Sequence, residues 1–358
     1  MPITENPISV ISTQESISKD RPDISVIVVT YNQEATIARC LESIVAQRFN
    51  GRMEIVIGED GSNDATAEIC RKYQTDYPDR IRLYCNRRNK GLIENYFDTM
   101  LNCTGRYLAD CAGDDSWSDP YKLQKQFDFL EQNSHVGLVH TAWEFHDIIN
   151  GQTISYRHNS EKTIVFEKGK ILMPLLNREL KPYPHLSTAL WRRDAIMAEY
   201  LKDPQLFRHS DNTCEDLQII AAMASRMAVA YLPDKTLLYS VGHKSVSSEE
   251  SFSKTFDFYI GTVRLTRRLH LKYAVADSDM RLYYRNIMDF LAAQIIHGHL
   301  TDRVTPLRSL ADYLPFRPSA KYRLIMAAMR FKGISWVAAK LYHRISKRKV
   351  VKSLSDAE

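Results

Sequence analysis

Two adjacent carboxylates, Asp114 and Asp115, follow the short stretch Arg106-Tyr107-Leu108-Ala109-Asp110. Side by side, such groups repel each other unless a positive charge lies between or near them. A hard divalent cation bound to a diphosphate meets that need, because Mg2+ and Mn2+ take oxygen ligands and share them between protein and phosphate. The pair also suits a plainer role at a helix start, since Ser118-Asp119-Pro120 follows with proline at a first helical position. Context decides between these readings, and the context is a series of elements that end in polar residues.

From Ile24, ISVIVVTYN is an apolar, β-branched run that predicts a buried strand ending at Tyr31-Asn32. Ile37, Leu41, Ile44 and Val45 then recur at helical spacing. Glu54–Ile57 reads as a second strand, with Asp64 placed to cap the helix after it. Ile81–Tyr84 is a third strand, and the next helix carries Ile93, Tyr96, Phe97, Met100 and Leu101 on one face. RYLAD is a fourth strand, the helix from Pro120 buries Leu123, Phe127 and Leu130, and GLVHTAW is a fifth strand. Strands alternating with amphipathic helices predict an α/β fold with a mostly parallel sheet covered on both faces. Ligands on such sheets collect at the carboxyl ends of the strands, where Thr30-Tyr31, Asp60 and Asp114-Asp115 all fall. From about Ser251 the alternation stops. Segments 254–273 and 280–297 read as helices, and a proline-containing stretch at 305–318 leads to two more helical pieces broken at Gly333.

With 358 residues the chain holds one large domain plus an appendage, or two domains. Its six cysteines form no Cys-x-x-Cys pair and suit reduced thiols in a cytosolic protein. Residues 1–22 are polar and read as a flexible leader without the features of a signal peptide. No apolar run reaches the roughly 20 residues that a membrane span requires. From Tyr313 to Ser355 there are eleven Lys or Arg and no Asp or Glu, which leaves the rest of the chain net acidic. That distribution argues against a nucleic-acid-binding core. No GxGxxG follows the first strand and no GxxxxGK[ST] occurs, which sets aside dinucleotide-binding and P-loop folds. His297-Gly298-His299 offers only two metal ligands and reads as a solvated helix end.

ISVIVVTYNQEATIARCLESIVAQ, EIVIGEDGSNDAT and NKGLIENYFDTMLNCTGRYLADCAGDDSW, in that order, resemble the family 2 glycosyltransferases with the GT-A fold. The likeness covers residues 23–250 and is closest to bacterial enzymes of surface-polysaccharide synthesis. It implies a GT-A domain over 23–250; beyond it, the loss of alternation and the charge pattern predict a helical C-terminal region over 251–358 with a basic amphipathic tail. It further implies a metal-dependent, inverting transfer of sugar from a nucleotide-sugar, by tendency a UDP-sugar, to a glycan or lipid-linked acceptor.

By the resemblance, Thr30 and Tyr31 line the nucleobase pocket with Glu34 beside it, and Asp60 accepts a hydrogen bond from the base. Asn89 and Gly91 match the Asn-x-Gly wall, and Arg87 stands where it could meet the diphosphate. Asp114 approaches ribose or sugar, and Asp115 binds Mn2+ or Mg2+. Gly113-Asp114-Asp115 departs from the commoner Asp-x-Asp-Asp, leaving fewer carboxylates on the loop. Asp216 of Glu215-Asp216 matches the general base, with an N-cap as its plain alternative. His243 matches a metal or diphosphate contact, and Trp117, Glu215, His185, Ser187 and Thr188 fall on the acceptor side. A base there gains from partial desolvation near Trp117 or Trp191.

Two other functions use similar parts. A nucleotidyltransferase of related architecture would share the acidic pair but normally shows a glycine-rich basic loop after the first strand, and QEATIARC has no glycine. A non-catalytic scaffold could bind nucleotide-sugar or membrane without turnover. In the tail, Ile334, Val337, Ala338, Leu341 and Ile345 form one apolar helical face among lysines and arginines. That pattern suits an anionic membrane surface and a cytoplasmic or peripheral location; packing on the protein's own body is the alternative.

Overall fold

The structure, a computed structural model, describes residues 21–242 and 251–329. Residues 1–20 of the expected leader, His243 with the rest of 243–250, and the basic tail beyond residue 329 lie outside the described residues.

The first half builds the parallel core. Strands β1 (Ile24–Thr30), β2 (Met53–Glu59), β3 (Ile81–Cys85) and β4 (Tyr107–Asp110) alternate with helices α1 (Ile37–Val45), α2 (Thr66–Asp76) and α3 (Leu92–Leu101). They pair in the order β3-β2-β1-β4, all parallel. Every residue of β1 is buried, as an unbroken apolar run requires when both faces are covered. Ile24, Val26 and Val28 join Ile37, Cys40, Leu41 and Ile44 of α1 in one core cluster. The alternate residues Ile27 and Val29 join Tyr96, Phe97 and Met100 of α3 in the other. Leu101, which the spacing puts on the apolar face, is the last residue of α3 and lies exposed.

The second half supplies β5 (Ser116–Trp117), α4 (Lys122–Gln132), β6 (Val136–Asp147), β7 (Thr153–Ser155), β8 (Ile164–Phe166) and α5 (Leu172–Leu176). β9 (Leu190–Arg192), α6 (Arg193–Lys202), α7 (Pro204–Arg208), α8 (Asp216–Arg226) and β10 (Ala228–Val241) follow. β9 runs antiparallel to both β4 and β6 and so joins the parallel core to the parallel pair β6–β10. The full order is β3-β2-β1-β4-β9-β6-β10-β5, with β7 on β6 and β8 on β10. The ten-stranded sheet is therefore mixed: β1, β2, β3, β4 and β6 lie where the alternation predicts strands, while β10, parallel to β6, is an addition. The antiparallel β5, β7, β8 and β9 are too short to show a periodic signal.

Helices α9 (Phe252–Lys272), α10 (Asp277–His297), α11 (Val304–Tyr313) and α12 (Ala320–Ala328) complete the described chain. They pack on one another and on α5 and α8, of which α8 lies against β6 and β10. Phe256, Val263, Leu269, Tyr284 and Leu291 share a single apolar cluster with Ile27 of β1 and Phe97 of α3. His297 closes α10 with its ring 6.3 Å from that of Phe252. Among the described residues, no helix is long and apolar enough to cross a membrane.

Candidate functional site

The carboxyl ends of β1, β2 and β4 open into a cavity of about 600 Å³. One wall carries Thr30, Tyr31, Asp60, Asn89, Gly91, Asp110, Asp114 and Asp115; the facing wall carries His185, Ser187, Glu215, Asp216, Tyr239 and Phe258. Thr30 is buried and donates through Oγ1 to Gln33 Oε1 at 2.8 Å, while Tyr31 beside it is 41% exposed.

Asp60 is buried in a clasp of donors. Lys90 N and Asn86 Nδ2 each donate to Oδ1 at 2.9 Å, and Gly91 N donates to Oδ2 at 2.9 Å. Asn86 Nδ2 also lies 2.9 Å from Asn95 Oδ1, and Asn95 Nδ2 donates to the Gly58 carbonyl at 2.8 Å. Two glycines permit the clasp. At Gly61, with φ +69°, a Cβ would sit 2.8 Å from the Arg88 carbonyl carbon. Gly91 adopts φ +89° and ψ 157° at the start of α3, a conformation that side chains strongly disfavour.

The acidic loop is strapped from two sides. Arg39 of α1 donates through Nη2 to the Asp114 carbonyl at 3.1 Å and to Ser240 Oγ at 2.6 Å. Ser240 of β10 donates through Oγ to the same carbonyl, and its N–H donates to Asp115 Oδ1 at 3.1 Å. Gly113 lies close against the end of β1, where a Cβ would sit 3.0 Å from Thr30 Cβ and would displace the Gln33 side chain. Asp115 is 2% exposed. Burial, and then the neighbouring Asp114, push its carboxyl well above the usual range. Asp110, also buried, is raised to about 7 by burial despite Tyr96, Lys122 and Ser187 nearby.

Across the cavity, Asp216 is the first residue of α8 and Glu215 its N-cap, with no side-chain capping bond. The plain capping role is therefore not what holds Asp216 there. Burial and Asp216 together raise the Glu215 carboxyl to about 8. His185 is kept towards its neutral form by burial, against the opposing pull of Asp216 and Asp114. Its Nδ1 accepts from Ser187 N at 3.3 Å, within the 3-10 turn Leu186–Thr188. Ser187 Oγ accepts from Ala112 N at 3.3 Å and donates to Asp110 at 3.4 Å, which ties the two walls together.

Several residues expected at the site sit elsewhere. Glu34 accepts from Ala65 N at 2.9 Å and so secures the start of α2 rather than lining the cavity. Arg87 lies on the exposed loop before Asn89 and is absent from the cavity wall. Thr188 is buried behind the wall, its hydroxyl donating to the His185 carbonyl at 2.7 Å. Trp117 is buried too, its Nε1 donating to the Ser187 carbonyl at 2.8 Å, so it supports the wall from behind. Trp191 lies in the core within β9, and the aromatic rings that do line the cavity belong to Tyr31, His185, Tyr239 and Phe258. His243 lies outside the described residues.

Three groups were not legible as site residues. Arg39 looks like a surface position of an amphipathic helix. Lys122 is wholly buried, bonded to Gln126 Oε1 at 2.8 Å and 4.2 Å from the Trp117 ring centre, and burial lowers it to about 7. Gln126 Nε2 in turn holds the Thr188 carbonyl at 2.8 Å, so α4 buttresses the turn bearing Ser187. Arg178, at φ +66°, hydrogen-bonds the Tyr183 hydroxyl; against the opposing effect of burial, Tyr183 first, then Tyr283, Asp216 and Cys214, hold its guanidinium above its ordinary range.

The acidic loop fits a divalent cation. Asp115 is buried, anchored by a backbone amide, and disfavoured as an anion by its own surroundings, which a cation at the loop would reverse. Two hard carboxylates suit Mg2+ or Mn2+, which complete their coordination with phosphate and water. Among the described residues, no three His, Cys, Asp or Glu side chains cluster to hold a metal unaided.

Residues 25–197 match glycosyl transferase family 2. The chain is 39% identical over 121 residues to the putative glycosyltransferase EpsE of Bacillus subtilis, covering 34% of this chain and 43% of that one. It is 28% identical over 187 residues to an uncharacterized glycosyltransferase of Nostoc sp., covering 52% and 55% respectively. The matched stretch thus spans roughly a third to about half of the curated relatives' length. Among solved structures, Staphylococcus aureus TarS 1–349 in complex with UDP-GlcNAc superposes with a TM-score of 0.53 at 15% identity, covering 86% of this chain and 91% of that one. The mannosyltransferase PcManGT of Pyrobaculum calidifontis, in complex with GDP-Man and Mn2+, gives 0.52 at 15% identity, covering 90% and 88%. At these identities the structural likeness carries the fold.

Proposed function

The chain belongs to glycosyl transferase family 2, and from that premise we propose that it moves a sugar, with inversion, from a nucleoside-diphosphate sugar to a hydroxyl of a glycan or lipid-linked acceptor. The observation that carries the reading is the convergence of Asp60, Asp115 and Asp216 on one cavity at the carboxyl ends of the central strands. Tyr31 presents a half-exposed ring to the nucleobase, and Asp60, Asn89 and Gly91 shape the wall that receives it. A UDP-sugar is the preferred donor, in keeping with the UDP-GlcNAc bound by TarS; the GDP-Man of PcManGT marks the alternative. Asp115, with Asp114 beside it, would hold Mn2+ or Mg2+, which would supply Lewis-acid neutralisation of the departing diphosphate.

The remaining chemistry belongs to side chains on the facing wall. Transfer is an in-line displacement at the anomeric carbon, so the acceptor hydroxyl must lose a proton as it attacks. Asp216 takes that proton. Glu215 keeps its own proton up to about pH 8, which makes it a hydrogen-bond donor at neutral pH and separates the roles of the two neighbours. His185, which burial biases towards its neutral form against the pull of Asp216 and Asp114, orients an acceptor or donor hydroxyl. Ser187 spans the walls and keeps this geometry. Surface-polysaccharide assembly on the cytoplasmic side of the membrane is the setting that suits such an acceptor.

Thermal melting with UDP, GDP, dTDP and CDP, each with and without Mn2+, tests the reading. A nucleotide at a hundred times its Kd stabilises a folded protein by about 2.7 kcal/mol. One nucleotide is expected to raise Tm in a manner that needs Mn2+ and is lost in Asp115→Ala. Asp216→Asn is expected to keep that shift and lose transfer. No shift with any nucleotide would sink the proposal.

A further inference from the structure

The geometry points to an aromatic face on β10, β6 and β7 that extends the acceptor side of the cavity and takes a glycan several sugar units long. The inference rests on the transferase reading above and assigns a binding surface beyond the reacting hydroxyl.

Strand register creates the face. Tyr239 of β10 pairs with Phe145 of β6, and Phe145 pairs with Ile154 of β7. Residues directly opposite point to the same side of a sheet, so these three form a row across the strands. Trp143, two residues before Phe145, shares that side, and its carbonyl accepts from Tyr156 N at 3.2 Å. The Trp143 and Tyr156 rings stack with centroids 4.3 Å apart at 15°. Trp143 meets Phe145 at 4.8 Å and Tyr239 at 5.5 Å.

This run begins at the chemistry. Tyr239 and His185 both line the catalytic cavity, 5.0 Å apart between ring centres, and His185 feels the charges of Asp216 and Asp114. From there the rings lead outward to Phe145 and Tyr156, which are partly exposed, and to Ile154, 63% exposed. Trp143 is nine-tenths buried, yet its Nε1 has no hydrogen-bond partner among the described residues. Apolar ring faces match a pyranose, whose C–H face is apolar. Continuity with the site of transfer selects the acceptor as occupant, since its growing end must enter the cavity while earlier units trail out of it.

The test uses the full chain with Mn2+ and the nucleotide that stabilises it, applied to arrayed bacterial surface glycans printed as length series from mono- to hexasaccharide. Binding is expected from trisaccharides upward. It should fall about tenfold in Tyr156→Ala and in Phe145→Ala, the loss of one stacking contact, and return in Tyr156→Phe. The nucleotide-dependent Tm shift should be unchanged in all three. Monosaccharides bound as tightly as longer glycans, or alanine variants that bind like the wild type, overturn the inference; so does an array that retains nothing. Alanine variants that also lose the nucleotide shift show a packing role and overturn it too. A wild type without any nucleotide shift is a separate failure, that of the transferase reading, and takes this inference with it.

Discussion

Replacing Asn86 by alanine tests whether the Asp60 clasp is a built structure. The change removes a hydrogen bond to a buried carboxylate and strips Asn95 Oδ1 of its partner, both at 2.9 Å. A bond to an ionised group contributes about 1.5–3 kcal/mol, and an ordinary one about 0.5–1.5. Asn86 is only partly buried, so water recovers some of each and the lower ends apply; the sum is about 2 kcal/mol. Lys90 N and Gly91 N remain on Asp60, so the carboxylate is loosened rather than abandoned. Urea unfolding should show the unfolding free energy lowered by that amount, read as a lower midpoint at unchanged m-value, because no surface is exposed beforehand. Asn86→Asp should cost more, since it sets a second carboxylate against the first. A loss under about 0.5 kcal/mol in Asn86→Ala would mean that the two amides alone hold Asp60 and that the asparagine pair is incidental.

Three further outcomes follow from the site. With its folded value raised to about 7, Asp110 keeps a proton that the unfolded chain releases near 3.9, so stability falls as pH rises through that window, by about 1.4 kcal/mol per unit. In metal-free urea melts, Asp110→Asn should make the slope shallower by that amount, leaving the share of Glu215 and Asp115, whose carboxyls are also raised; an unchanged slope refutes the assignment. Gly91→Ala places a Cβ where nothing lies within 4 Å, so its expected cost of about 1–3 kcal/mol is backbone strain alone, and a neutral result would contradict the positive φ. Arg39→Met keeps the aliphatic stem but removes the bonds to the Asp114 carbonyl and to Ser240 Oγ, and should weaken Mn2+-dependent nucleotide binding about tenfold with little change in unfolding midpoint. Equal affinity in that variant would show that Ser240 suffices.

Most of what could be read from the chain concerns its first half. β1 is legible because a strand buried on both faces needs a continuous β-branched run, and α1 and α3 because each buries one stripe. The carboxyl-end placement of Thr30, Asp60 and Asp114-Asp115 followed from topology alone. The antiparallel strands escaped notice because two or three residues carry no period, and their pairing depends on partners far along the chain. The same limit explains Trp117: an aromatic after an acidic pair looks like a wall, yet its place behind Ser187 is set by α4 and the 186–188 turn. Lys122 and Gln126 were illegible for the opposite reason. Polar residues on a helix are read as solvent-facing, and only tertiary structure shows them buried under the site. Glu34 looked like a neighbour of Tyr31 in sequence, but the backbone turns it towards α2.

The bond between Asp115 and Ser240 spans 125 residues. Loops of that size close slowly, and chains fold largely in the order they are synthesised. The parallel core, built from neighbouring segments, can consolidate on the ribosome long before β10 emerges. Until that strand docks, the acidic loop lacks both its amide donor and the serine that receives Arg39. A nascent chain therefore presents a half-formed cavity wall with an untethered acidic loop, and on the proposed reading competence to bind nucleotide would arrive as a single late event rather than by degrees.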